Sequence, residues 1–288
     1  ADAFGLLQRL GAESAGALVL QPEGTEPPEK GVLPLAWNDL SHRIRNLPKA
    51  SLNKGAPKRM SLAGAQHKMV VIYEPKSQVL GESLKGTPST HILKPNSTAE
   101  SYPNSVINET FTMMLAARLG LNVPKVWHLY LPEPAFIIER FDRAPGPEEP
   151  LRLHVLDGTQ MLNEPSYNKY SSETFPKLKD LIEQCRNKAA ARLETFRWIV
   201  FNTMVGNSDS HLKNISFIVG HEGISVAPFY DLLCTAVYHT RVFLDEGAVW
   251  PNEKLASPVA GANFFSEVTY DKLIDSPIAD MKNIGPRE

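Results

Sequence analysis

Cysteine is scarce: 288 residues hold two, Cys185 and Cys234. They share no CxxC spacing and no histidine cluster lies beside them. That argues against a disulfide framework or a zinc site and for a reducing compartment. Both read as small buried apolar groups. Long apolar runs are also missing. The stretches 69–73, 135–138 and 198–201 fall far short of the roughly 18–20 residues a membrane span needs. Arg9 and Glu13 interrupt the early apolar stretch, so no signal peptide is read. Neither charge sign dominates: 30 Lys and Arg face 32 Asp and Glu, a formal charge of −2. This leaves no electrostatic footprint for nucleic-acid binding as the main task. Apolar residues at 42%, charged at 22% and aromatic at 8% exclude disorder, collagen and coiled coil as the overall description. The 23 prolines concentrate in 22–34 and 145–150, which read as surface connections.

Patterning along the chain predicts an α+β protein. Residues 4–10 are helix-like, Gly11 breaks them, and 17–20 reads as a strand. Residues 21–60 read as a linker with one short helix near 37–44. From Met60 the pattern sharpens: a small-residue run at 61–68, a strand at 69–73, a turn, and a strand at 90–94. A helix follows at 106–119, with Ile107, Thr110, Phe111, Met114 and Ala117 on one face, then a hairpin pair at 125–131 and 135–139. The second half is mostly helical. Leu178, Leu181, Ile182 and Cys185 form one stripe, and Leu193, Phe196, Ile199, Val200 and Met204 are read as the inward face of 189–205. A polar loop at 207–214 precedes strands at 215–219 and 224–227. Residues 245–265 are apolar without a clear period. A β-rich first lobe (1–143, with its sheet at 60–143) and a helical second lobe (144–288) offer a cleft for a ligand.

The loop 207–214 gathers Asp209, His211, Lys213 and Asn214 between an apolar helix and an apolar strand. Asp209 and Asn214 are five residues apart, and Asp231 follows at the far end of a hairpin. Kinase-type phosphoryl transfer uses such a set: one Asp at the substrate hydroxyl, an Asn five residues on and a later Asp on Mg²⁺. Mg²⁺ is a hard cation that takes oxygen ligands and leaves room for phosphates and water. Taken alone, such a loop is as well described by turn-forming side chains. Three further features strengthen the case. Lys94 ends a strand, with Glu109 in the next helix as its brace. Residues 61–68, with Ala63, Gly64 and Ala65, let backbone N–H groups approach phosphate oxygens, although one Gly is far from GxGxxG. Strand 135–138 runs into Glu139 and Phe141, where an adenine ring could bond and stack. The bland alternative there is a solvated cluster of Glu139, Arg140, Asp142 and Arg143. Each signal is weak by itself; six in the kinase order are not.

The segments FGLLQRLGAESAGALVL (4–20), MSLAGAQHK (60–68), THILKPN (90–96), IIERFDR (137–143), GNSDSHLKNISFIV (206–219) and APFYDLL (227–233) together resemble the HipA family of bacterial Ser/Thr kinase toxins. The resemblance implies a two-lobed protein-kinase-like fold, ATP and Mg²⁺ as cofactors, and a bacterial cytoplasmic location. Asp209 would be the catalytic base. Asn214 and Asp231 would bind Mg²⁺, and Lys94, supported by Glu109, would contact ATP phosphates. Glu139 and Phe141 would contribute to the adenine pocket. Ala63, Gly64, Ala65, Gln66, Lys68, His211 and Lys213 would complete the nucleotide site. Ser61 would be autophosphorylated, and about −1.5 to −2 of added charge would expel its loop from a phosphate site. The family's substrates are aminoacyl-tRNA synthetases, and its partner is a helix-turn-helix, HipB-like antitoxin that carries the complex to operator DNA. Ser208 stands where HRD kinases have Arg, and Leu232-Leu233 replace the Phe-Gly of DFG. Set against the family, the chain lacks most of an N-terminal β-subdomain. Either further segments belong to the protein, or it is a smaller variant whose N-terminal piece is a separate polypeptide. The competing readings are a small-molecule phosphotransferase of the aminoglycoside type and a non-catalytic corepressor scaffold.

Overall fold

The computed structural model describes residues 13–49 (except 22, 25 and 27), 52, 66–165 (except 131), 174–238 and 253–274 (except 260). It divides into two compact units, residues 1–110 with 124–155 and residues 111–123 with 156–288. The expected helix at 4–10 and the small-residue run at 61–65, with Ser61, Ala63, Gly64 and Ala65, lie outside the described residues.

The first unit is an antiparallel six-stranded sheet. Its elements in chain order are β1 (Val32–Pro34), α1 (Trp37–Arg45), β2 (Met69–Glu74), β3 (Val79–Ser83), β4 (His91–Pro95), the start of α2 (Ser105–Arg118, whose residues from 111 on are counted with the second unit), β5 (Val126–Tyr130) and β6 (Pro134–Glu139). The strands lie in the order β1–β3–β2–β4–β6–β5. Period-two alternation sends Met69, Val71 and Tyr73 of β2, Leu93 of β4 and Ile137 of β6 into one core with Leu40 of α1, Leu80 and Leu129. A short pair, β7 (Arg143–Ala144) and β8 (Leu151–Arg152), follows β6.

In the first unit the strands differ from the sequence reading at β3 and at 17–20, and β1 falls in the stretch expected to be a linker. β3 was read as part of a turn because Gly81 interrupts it. A Cβ at Gly81 would sit 2.5 Å from Val32 Cγ1, so the glycine is what lets β1 approach. The strand expected at 17–20 does not form. Leu18, Val19 and Leu20 are exposed there.

The second unit holds β9 (Val155–Asp157), α3 (Gly158–Met161), α4 (Thr174–Glu183), α5 (Lys188–Val205), β10 (Ser216–Gly220) and β11 (Gly223–Val226). The strands order as β11–β10–β9. Beyond Asp231 come β12 (Lys254–Val259), β13 (Ala262–Phe264) and α6 (Tyr270–Ile274). β12 and β13 form a hairpin with a register shift, which is why no clean period shows in that stretch. The α4 stripe is buried as read: Leu178, Leu181, Ile182 and Cys185 are all at most 3% exposed. Cys185 is a free thiol, and burial, with a smaller contribution from the Glu194 carboxylate, pushes it up to about 11. Cys234 forms no disulfide either but is only partly buried, which corrects the expectation of two buried cysteines.

The faces of two helices are rotated from expectation. On α2, Ile107, Phe111 and Met114 are exposed, while Val106, Glu109, Thr110, Met113 and Ala116 are buried. On α5, Met204 is 70% exposed, and Thr195, Trp198, Asn202 and Thr203 are buried with Ile199. In both, polar side chains share the buried face, so apolar periodicity alone points the wrong way.

His91 sits inside an aromatic cluster, with ring centroids 5.5 Å from Tyr73 and 5.2 Å from Trp127. Burial lowers its imidazole to about 4, against a weaker upward pull from Glu74. The unfolded chain titrates near 6.5, so the unfolded state binds the proton first as pH falls. Stability should therefore be complete above pH about 6.5 and decline towards pH about 4, by on the order of 3 kcal/mol in all. Urea unfolding across that window should give a flatter pH profile for His91→Phe than for the parent. Parallel profiles would show that His91 is not the group responsible.

Candidate active site

Alternation along β4 separates Lys94 from the core. Leu93 pairs in register with Ile137, and Lys94 with Phe136 on the opposite face. There the Lys94 ammonium lies 5.6 Å from the centroid of the Phe136 ring. Its Nζ donates to Glu109 Oε1 of α2 at 2.7 Å, with the two side chains 7% and 5% exposed. The expected pairing of Lys94 with Glu109 is thus present as geometry, in a low-dielectric wall where a fixed cation acts strongly. Gln66 leads into the same strand end: its Nε2 donates to the Pro95 carbonyl at 3.0 Å. Lys68, just before β2, is half-buried.

The loop 207–214 begins where Gly206 caps α5 in the left-handed region (φ 70°, ψ 44°), with its N–H turned back to the carbonyls of Asn202 and Thr203. Asn207 then organises the loop from a buried position. Its Nδ2 donates to Asn202 Oδ1 at 2.7 Å and to the Asp231 carbonyl at 3.4 Å. Its Oδ1 accepts from the Asp209 N–H at 3.1 Å. Asn214 Nδ2 donates to the Asp209 carbonyl at 2.7 Å. Asp209, Asn214 and Asp231 therefore belong to one hydrogen-bonded set, held through backbone atoms and two side-chain amides. The Asp209 side chain remains 47% exposed, with the buried His211 Nε2 3.6 Å from its Oδ1. That separation is too long for a hydrogen bond.

Lys213 is anchored from the other side. Its Nζ donates to Asp157 Oδ2 at 3.0 Å, and its carbonyl accepts from the Tyr230 hydroxyl at 2.8 Å. Burial raises the Tyr230 phenol far above its ordinary range, and the Asp231 and Asp157 charges push the same way against the Ser216 hydrogen bond. The phenol therefore stays protonated and can donate. Thr235 closes the far edge, accepting from the Ser208 N–H at 2.7 Å and donating to the Gly206 carbonyl at 2.9 Å.

At the end of β6, Glu139 is exposed and Phe141 half-buried, while Arg140 and Asp142 are only 3% and 6% exposed. The bland expectation of a solvated charge cluster is therefore corrected: these charges are internal and paired. Sequence reasoning assigned no role to Asn207, Asp157, Thr235 or Glu13. Asn207 carried a signal, as the first polar residue after a glycine-capped helix. Asp157 and Glu13 carried none, because their partners are distant in sequence.

The donor set suits a hard cation. The Asn214 amide is oriented by its Nδ2 bond, which leaves Oδ1 to ligate, and Asp231 offers a carboxylate. Among the described residues no group of three His, Cys, Asp or Glu side chains could hold a metal. A cation here would take its remaining ligands from phosphate oxygens and water.

Residues 60–273 match the family model of the HipA-like C-terminal domain. The Shewanella oneidensis protein named serine/threonine-protein kinase toxin HipA is 33% identical over 256 residues, 82% of this chain and 58% of the relative. The Y4mE protein of Sinorhizobium fredii is 38% identical over 251 residues, 83% of this chain and 59% of its own length. The chain thus spans less than two thirds of these curated relatives. Among solved structures, the Shewanella oneidensis MR-1 HipA, HipB and operator DNA complex superposes with a TM-score of 0.75 at 29% identity, covering 97% of this chain and 66% of that one.

The loop also depends on a close approach by Gly158. Its N–H donates to the Ile215 carbonyl at 2.9 Å. A Cβ there would lie 2.6 Å from the Leu212 carbonyl oxygen, a backbone atom that cannot easily move. Gly158→Ala should cost about 1–3 kcal/mol in chemical denaturation. Gly220→Ala, whose added Cβ meets nothing closer than 3.9 Å, should cost about 1 kcal/mol or less. Equal losses would show that the approach is not the constraint.

Proposed function

Because the chain belongs to the HipA-like C-terminal domain family, we propose that it carries an ATP- and Mg²⁺-dependent serine/threonine protein kinase site and acts as the toxin of a bacterial toxin–antitoxin system. Its fold is the α+β, protein-kinase-like fold of HipA. The observation that carries the functional reading is the Asn207-centred network, which ties the backbones of Asp209 and Asp231 together with Asn214 beside them.

In this reading Asp209 is the base. Its half-exposed carboxylate can meet an incoming hydroxyl, while hydrogen bonds to its N–H and its carbonyl fix its backbone. Asn214 Oδ1 and the Asp231 carboxylate ligate the cation. Mg²⁺, when bound, neutralises phosphate charge and orients the transferred group. Lys94, held in place by Glu109, donates to phosphate oxygens, with Gln66, Lys68 and the residues 63–65 ahead of β2 cradling them. His211 and Lys213 complete the loop side of the site. Glu139 and Phe141 receive the adenine. Ser61 is the self-phosphorylated residue that switches the site off.

The biological setting is likewise a proposal. The Shewanella neighbour is a complex with HipB and operator DNA. By analogy this chain pairs with a helix-turn-helix antitoxin in the bacterial cytoplasm, and its protein substrate is an aminoacyl-tRNA synthetase. No helix among the described residues is long and apolar enough to cross a membrane.

Asp209→Gln should lower phosphate transfer by about 10²–10⁴-fold with ATP affinity retained, whereas Asp231→Gln should weaken Mg²⁺-ATP binding as well. Labelled ATP with purified synthetases reads the first effect and calorimetric titration the second. Equal nucleotide affinity in the two variants would overturn the division of roles. Ser61→Ala should abolish the added phosphate mass on the chain itself.

A further inference from the structure

Outside the proposed nucleotide site, a dense group of charges among the described residues of the first unit surrounds Glu13, which is fully buried. Glu13 Oε1 accepts from Arg140 Nη1 at 2.7 Å, Ser89 Oγ at 2.7 Å and Arg143 Nη2 at 3.0 Å. Its Oε2 accepts from Arg152 Nη2 at 3.1 Å. Asp142 is the second anion. It takes Arg140 in a two-pronged pair at 2.9 and 2.7 Å, and its Oδ2 accepts from the Gly16 N–H at 2.7 Å. Burial pushes the Asp142 carboxyl up, but the Arg140 hydrogen bonds, the charges of Arg140 and Arg143 and the Gly16 N–H together hold it below its ordinary range. The arginines also bind the segment's backbone: Arg140 Nη2 donates to the Ser14 carbonyl at 3.1 Å and Arg143 Nη1 to the Gly16 carbonyl at 3.2 Å.

Three guanidinium groups thus face two carboxylates, and Glu13 is the anion that touches all three cations. Buried charges persist only when paired, so this cluster has one arrangement available to it. Its consequence lies in residues 139–143. Arg140, Asp142 and Arg143 are held in the cluster, while Glu139, beside them in the chain, is exposed and Phe141, between them, is half-buried. Those two are the residues assigned above to the adenine. Glu13 itself lies outside the family-matched residues 60–273.

We propose that Glu13 is a positioning residue for the nucleotide site. Acting through Arg140 and Arg143, it fixes segment 139–143 so that Glu139 and Phe141 are presented to the adenine. The inference rests on the nucleotide reading of those two residues.

The test compares the full chain with Glu13→Gln, which keeps the shape and removes the charge, and with Glu13→Gln/Arg152→Gln, which restores the original one-charge excess of cations. Two readouts are needed. In phosphate-transfer kinetics, Glu13→Gln should raise the KM for ATP by about tenfold or more with kcat within about threefold. In amide hydrogen exchange, residues 139–143 should exchange about tenfold faster or more while β2 is unchanged. The double variant should recover most of both effects. Unchanged KM and exchange in Glu13→Gln would overturn the proposal. So would acceleration spread evenly over the sheet, which would mark Glu13 as merely structural. If the parent chain itself binds no ATP, the nucleotide reading fails, and the proposal fails with it even where the exchange contrast locates the clamp at 139–143.

Discussion

A charge taken out of water must meet an opposite charge in good geometry, and Lys94 shows how much of the first unit follows from that. Its ammonium is almost completely enclosed and meets Glu109 at 2.7 Å. Stranding one member of such a pair costs about 3–5 kcal/mol, a large share of the roughly 5–15 kcal/mol that holds a domain together. The position of Glu109 is therefore not negotiable, and it sets the rotation of α2. Once Glu109 faces inward, Val106, Met113 and Ala116, three, four and seven residues away, follow it into the interior. Ile107, Phe111 and Met114 are left outside. An ion pair, not the apolar stripe, decides the face.

The loop of the second unit solves a related problem with neutral groups. A base and metal ligands need fixed backbones and accessible side-chain oxygens, and carboxylates spent on local hydrogen bonds would lose that access. Amides do the local work instead. Asn207 and Asn214 satisfy the Asp209 N–H and both carbonyls, of Asp209 and Asp231. The result is a loop whose backbone is fixed by neutral amides, which is the preorganisation the proposed roles of Asp209 and Asp231 would call for.

The elements with strong local signals were legible in the sequence: β2, β4, the β5–β6 pair, the α4 stripe and the hairpin after the loop. So was the spacing of Asp209, Asn214 and Asp231, because it is fixed by one loop and one hairpin. What was not legible depends on contacts between distant residues. β3 required knowing that Val32 would approach Gly81. The Lys94–Glu109 pairing was read from the sequence, but its consequence for α2 was not: Glu109 does not lie on the apolar face read there, and the pair turns that face outward. The α5 face was misread because Asn202, a polar residue, is buried to receive Asn207. Glu13 was invisible for the same reason, since it meets its arginines across 127 to 139 positions of chain.

Asp231 joins these themes. Its φ is +52°, a region where glycine is at ease and most side chains are not. Such a residue persists only where its surroundings overdetermine it, and here they do. The Phe229 N–H is bound to the Asn122 carbonyl and the Tyr230 hydroxyl to the Lys213 carbonyl, while Leu232 is 1% exposed and the Asp231 carbonyl accepts from Asn207. Glycine would relax the backbone at this point but would offer no oxygen to a cation. That an aspartate occupies a glycine-like conformation, clamped on both sides, is what a site that needs a carboxylate at that position would require. Gln78, Asn104 and Asn163 adopt the same region elsewhere in the chain, and Asp and Asn tolerate it better than other side chains, so the conformation accommodates a carboxylate here without by itself marking a functional site.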